Sequence, residues 1–147
     1  MLDILPTLAA LAGAAGPNQK IDGHDIRPLI LGEAGAVSPS DAGGFFYYQM
    51  RQLQAVRGGP WKLYLPLAGK RINLSTKRAP AALALYNVRD DVAEERELSA
   101  QHPDLVQRLL KLAEQARADL GDEEGEGAGQ RPAGWAAKPS KREAAKQ

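Results

Sequence analysis

The stretch LQAVRGGPWKLYLP, Leu53 to Pro66, decides how the rest of the chain is read. An apolar run stops at Gly58-Gly59-Pro60 and restarts at Trp61, the pattern of two short strands around a tight turn. In the second arm Trp61, Leu63 and Leu65 fall on one face, and Lys62 and Tyr64 on the other. A sheet with one buried face is expected, so the sequence has to supply a layer that covers it.

The clearest candidate for that layer follows downstream. Pro103 suits a first helical position, and Asp104 suits the positive end of a helix dipole. Leu105, Leu109, Leu112, Ala116 and Leu120 then recur at intervals of three or four, widened by Val106, Leu110 and Ala113. Gly121 ends the pattern. Phe45 to Tyr48 and Leu83 to Val88 read as further strands. Strands followed by one long amphipathic helix give an α+β fold, a small antiparallel sheet packed against a long carboxyl-terminal helix.

The amino-terminal end fits this plan poorly. Asp3 is expected to cap a short helix in which Ile4, Leu5, Leu8 and Leu11 make a strongly apolar face, with Gly13 as its stop. So short a helix needs a partner surface, and so small a unit offers none. Residues 16–44 read as two loops with an apolar anchor at Leu29-Ile30-Leu31. The segment after Leu65 is a long basic connection, and Asp122 to Gln147 is expected to be a disordered tail.

The whole chain has 147 residues, 44% apolar and 25% charged, which bounds it to one domain with a modest core. Its net charge of +1 gives no general pull toward nucleic acid or acidic membranes. With no cysteine there is no disulfide, zinc-thiolate site or cysteine nucleophile. The opening residues lack the basic flank of a signal peptide, and no later run has the length of a membrane span.

Few residue groups suggest chemistry. Asp22-Gly23-His24-Asp25 could be drawn as a metal site, but a turn is the simpler reading because no second cluster offers the remaining ligands. His102, just before Pro103, reads as a helix-boundary residue. Asp90, Asp91, Glu94, Glu95 and Glu97 are dense, yet lack the spacing and glycine of an EF-hand loop. Lys70, Arg71, Lys77 and Arg78 could line the rim of an anion site or simply form a solvated loop. Trp61 and Tyr86 read as core and interface aromatics, and no glycine-rich phosphate loop appears. The residues alone describe a small α+β unit without a self-sufficient active site.

Four segments, LDILPTLAALAG, DGHDIRPLILG, LQAVRGGPWKLYL and LYNVRDDVAEERELSAQHPDLVQRLLKLAEQARADLG, occur in this order. In order and spacing the chain resembles, over about residues 2–121, the carboxyl end of sulfatases of the arylsulfatase type, especially bacterial ones. It departs from them at Asp91-Val92-Ala93-Glu94, where an Asp-Pro-x-Glu turn is common, and at Glu97-Leu98, where Asn-Leu is usual. The resemblance implies an alkaline-phosphatase-like parent that hydrolyses sulfate esters with a formylglycine nucleophile and a divalent cation, usually calcium. Those groups lie in the family's larger amino-terminal α/β domain, and none maps onto this chain; Ser38-Pro39-Ser40 and Ser75-Thr76-Lys77 do not fit the modification motif.

The implied division is residues 1–33 as the end of the large domain, 34–121 as a carboxyl-terminal subdomain with a four-stranded antiparallel sheet, and 122–147 as the tail. The amino-terminal helix would then belong to the large domain, and Met1 would be an internal methionine of a truncated or split gene product. The partner expected is the missing amino-terminal sulfatase domain. A sulfated small molecule or polysaccharide is the expected substrate of the parent, with Lys70, Arg71 and Lys77 as a substrate rim. Family members are commonly periplasmic, secreted or lysosomal. The competing expectation is a stand-alone, non-catalytic module that binds a partner protein or an acidic glycan.

Overall fold

The structure, a computed structural model, describes residues 2–67 and 82–130. The decisive stretch forms the predicted hairpin. Strand β2, Gln52–Gly58, turns through Gly59 and Pro60 into β3, Trp61–Tyr64. Gly59 has φ 59°, and Gly58 pairs with Trp61, so two residues close the turn. A glycine with positive φ at the first turn position suits a two-residue hairpin of the II′ kind, and proline is compatible at the second.

Strand β1, Phe45–Gln49, and strand β4, Ala84–Asn87, complete an antiparallel meander of four strands in the order β1-β2-β3-β4. The β1–β2 register shifts between Tyr47 and Tyr48, a bulge that bends the sheet's first edge. At the opposite edge, the Leu98 amide donates to the Leu85 carbonyl at 2.9 Å. The Leu85 amide in turn donates to Glu97 Oε1, also at 2.9 Å. The chain thus seals the β4 edge with its own Glu97-Leu98 segment.

Period-two alternation sends Val56, Leu63, Leu65 and Leu85 to one face, where they are buried. The long helix Pro103–Leu120 covers that face through Val106, Leu109, Ala113 and Ala116. Of the expected stripe, Leu109 and Ala116 are buried together with the widening residues Val106 and Ala113, while Leu105 and Leu112 flank the core half-buried. Small residues let the helix sit close. A Cβ on Gly58 would lie 3.1 Å from Leu109 Cδ2, so the strand beneath the helix is also trimmed of side chain. The fold class is α+β, as the hairpin and helix periodicities predict.

Three local expectations need correction. Residues Arg27–Ile30 and Pro39–Gly43 form short helices, α2 and α3, where loops were expected; a proline in the first turn of each presets φ. The first helix, α1, spans Ile4–Leu11 as expected, but Asp3 does not cap it. Asp3 is itself in helical conformation, and its carboxylate instead accepts from the His24 amide at 2.7 Å.

The long helix is therefore α4. The expected tail from Asp122 begins with order: Gly121–Asp122 and Gly125–Glu126 pair as strands β5 and β6. Hydrogen bonds supply the reason. Tyr48 Oη donates to the Gly121 carbonyl at 2.8 Å, and the Leu53 amide donates to Asp122 Oδ1 at 3.0 Å. Composition alone does not reveal such anchors.

Candidate functional site

The alternation that buries Leu63 turns Lys62 and Tyr64 to the opposite face of the sheet. Cross-strand pairing places Tyr47, Arg57, Lys62, Tyr64 and Tyr86 together there. Lys62 Nζ donates to Tyr64 Oη and to Glu94 Oε1, both at 2.7 Å, and Tyr64 Oη donates to Glu94 Oε2 at 2.6 Å. The ammonium also lies 4.9 Å from the Tyr47 ring centroid and 4.5 Å from that of Tyr64.

Burial would push the Lys62 ammonium down, but the hydrogen bonds to Glu94 and Tyr64 outweigh it and raise its pKa. Tyr64 is pushed up, first by burial and then by the Glu94 carboxylate. Lys62, Tyr64 and Glu94 satisfy one another. The cluster clamps the segment after β4 onto β3.

A second polar cluster joins α4 to the carboxyl-terminal hairpin. Arg117 donates from Nε to Asp122 Oδ2 at 2.8 Å and from Nη1 to Glu114 Oε1 at 2.6 Å. Gln52 Nε2 donates to Glu123 Oε2 at 2.9 Å. Burial would raise the Asp122 carboxyl, yet Arg117 and the Leu53 and Glu123 amides hold it below the ordinary value. An open cleft of about 590 Å³ lies beside this cluster, bounded by Leu53, Leu67, Arg117 and the hairpin.

The sequence-derived candidates disperse. His24 is exposed, and Asp25 is occupied by Arg27, whose Nε donates to it at 2.9 Å. Asp91 caps the Arg96 amide at 2.8 Å, while Glu97 accepts from Leu85 and Ser99. Asp91 and Glu97 of the acidic run thus cap backbone amides, while Glu94 is taken by Lys62 and Tyr64. His102 sits at the start of α4, its ring 4.8 Å from that of Trp61. Among the described residues, no group of three His, Cys, Asp or Glu side chains could hold a metal ion. Lys70, Arg71 and Lys77 lie outside the described residues. The Lys62–Glu94 contact was half legible: alternation pairs Lys62 with Tyr64, but only the fold brings Glu94, 32 positions away, to meet them.

No family model matches the chain. Among curated proteins it is 34% identical over 131 residues to human arylsulfatase A, covering 76% of this chain and 25% of that protein. Rat arylsulfatase G is 26% identical over 135 residues, with 84% and 25% covered. A solved structure from work on glycosaminoglycan metabolism by Bacteroides thetaiotaomicron superposes with a TM-score of 0.61 at 25% identity, covering 78% of this chain and 24% of that one. The chain thus spans about a quarter of the length of these relatives.

Proposed function

We propose that this chain, a carboxyl-terminal portion of the arylsulfatase-type sulfatases, is the non-catalytic part of an enzyme that hydrolyses sulfate esters. One observation carries the reading: three quarters of the chain aligns with only a quarter of a sulfatase. The formylglycine and calcium that the sulfatase resemblance implies are assigned to the rest of the enzyme, and that remainder is the partner this portion serves. Lys70, Arg71 and Lys77 keep their proposed place at the substrate rim, on the strength of their charge. That charge favours a sulfated polyanion over a small aryl sulfate with a single negative charge.

Three assays test this. The isolated chain, supplied with calcium and an aryl sulfate, is expected to release no sulfate; turnover would make it a catalyst in its own right. Human arylsulfatase A in which this chain replaces the matched stretch is expected to recover hydrolysis lost by deleting that stretch. Reversing Lys70, Arg71 and Lys77 to Glu in that chimera is expected to lower kcat/KM on a sulfated polysaccharide. An unchanged kcat/KM would remove them from the rim.

A further inference from the structure

The open cleft beside the Arg117 cluster has a pronounced sign. Five carboxylates line it, those of Glu114, Asp122, Glu123, Glu124 and Glu126, against the single guanidinium of Arg117, which leaves the described lining at −4. The whole chain carries +1, so the compensating positive charge lies elsewhere in it. Arg117 is spent on Glu114 and Asp122, and the Gln52 amide on Glu123. Glu124 and Glu126 are exposed on the hairpin and meet no cation among the described residues. Between the charges, Leu53 and Leu67 offer hydrocarbon. An occupant that is cationic and carries one large apolar group satisfies both parts of this lining.

The chain itself supplies one. Residues 131–147, RPAGWAAKPSKREAAKQ, lie outside the described residues, but their composition is explicit. Arg131, Lys138, Lys141, Arg142 and Lys146 stand against one carboxylate side chain, Glu143, for a side-chain charge of +4. Trp135 is their one aromatic residue. The fold also delivers this segment to the right end of the molecule. After β6 the Ala128 and Gly129 amides donate to the Ala118 and Asp119 carbonyls, both at 2.8 Å, and Gln130 Nε2 donates to the Leu120 carbonyl. Gln130 is thereby held at the last turn of α4, next to the hairpin that walls the cleft. Only glycine permits that return, since a Cβ on Gly127 would run into the Asp119 carbonyl oxygen. Beyond Gln130 the chain has reach to spare, roughly 56 Å when extended.

We infer that the cleft bounded by α4, β2 and the β5–β6 hairpin is the docking site of the chain's own basic carboxyl-terminal segment, residues 131–147. Its carboxylates draw Lys138, Lys141, Arg142 and Lys146, and Trp135 covers Leu53 and Leu67. The connection at 68–81 is the poorer occupant, because it brings Lys70, Arg71, Lys77 and Arg78 but no aromatic residue. The docking is independent of the sulfatase reading, since it concerns only charges within this chain.

The chain has no cysteine, so a nitroxide attached at Ser140→Cys reports from one position. In the full-length chain it is expected to broaden the amide signals of Gln52 and Leu53. Glu124→Lys with Glu126→Lys is expected to cut that broadening about threefold or more, and Lys141→Glu with Arg142→Glu to do the same from the segment's side. Combining all four substitutions restores opposite signs and is expected to bring the broadening back. Raising sodium chloride from about 0.1 M to about 1 M shortens screening from about 10 Å to about 3 Å and is expected to weaken it. Equal broadening in all these variants overturns the docking, because a tethered segment then passes the cleft without binding. A fourfold variant that does not recover the broadening overturns it as well. So does broadening from a label at Ser75→Cys without any from Ser140→Cys, which would give the cleft to the connection.

Discussion

Glu94 holds its backbone at φ 55°, in the left-handed region that a side chain with a Cβ rarely adopts. Its carboxylate is placed by that conformation against Lys62 and Tyr64, with both ion-pair partners less than a quarter exposed. Two substitutions separate the opposing effects. Glu94→Ala removes the acceptor and keeps the strain, and is expected to cost about 2 kcal/mol in urea unfolding. Glu94→Gly removes the acceptor and relieves the strain, so it should lie closer to wild type by about 1 kcal/mol. Equal losses would mean the conformation stores nothing. At this scale the sequence is half readable: alternation shows that Lys62 and Tyr64 share a face, whereas a glutamate thirty-odd residues away carries no periodic mark.

Helix α4 shows what periodicity does reveal. Its length and its buried side are legible from the spacing of Leu105 to Leu120, but the exact line of contact is not. That line is chosen by the small residues Ala113 and Ala116 and by Gly58 beneath the helix, because close approach sets it. Leu109 lies at its centre, fully buried, and Leu109→Ala is expected to cost about 2–5 kcal/mol in thermal or urea unfolding. A loss below 1 kcal/mol would show that the sheet's apolar face collapses without it.

The hairpin after α4 was invisible to composition, since acidic residues and glycines read as solvated chain. Asp122 gives it a pH signature. Its folded carboxyl ionises at lower pH than in the unfolded chain, so its contribution is complete above an ordinary aspartate value of about 4. That contribution drains away as pH falls through the folded value. Urea midpoints from about pH 5 to about pH 2 should therefore fall more steeply for wild type than for Asp122→Asn. Parallel slopes would show that the hairpin anchor adds nothing.

Taken whole, the molecule has two packing regimes. The sheet and α4 bury a continuous core, while residues 2–31 are held by hydrogen bonds and show their hydrocarbon to solvent. The misfit of α1 was readable from Ile4, Leu8 and Leu11 alone; the polar locks through Thr7 and Arg27 were not, because they join positions with no shared period. The isolated chain should consequently self-associate as concentration rises, and Leu8→Asp with Ile30→Asp should return it to monomer in sedimentation. A wild-type monomer at every accessible concentration would contradict this.

The sealed β4 edge sets a different limit on assembly. A strand can add only where backbone groups are free, and Glu97-Leu98 already occupies that border. Growth of the sheet is one-sided. If two copies ever joined through β1, each would turn a closed border outward, and polymerisation would halt at two. Fibre formation through the native sheet is terminated by a single carboxylate and one strand-like residue beside it.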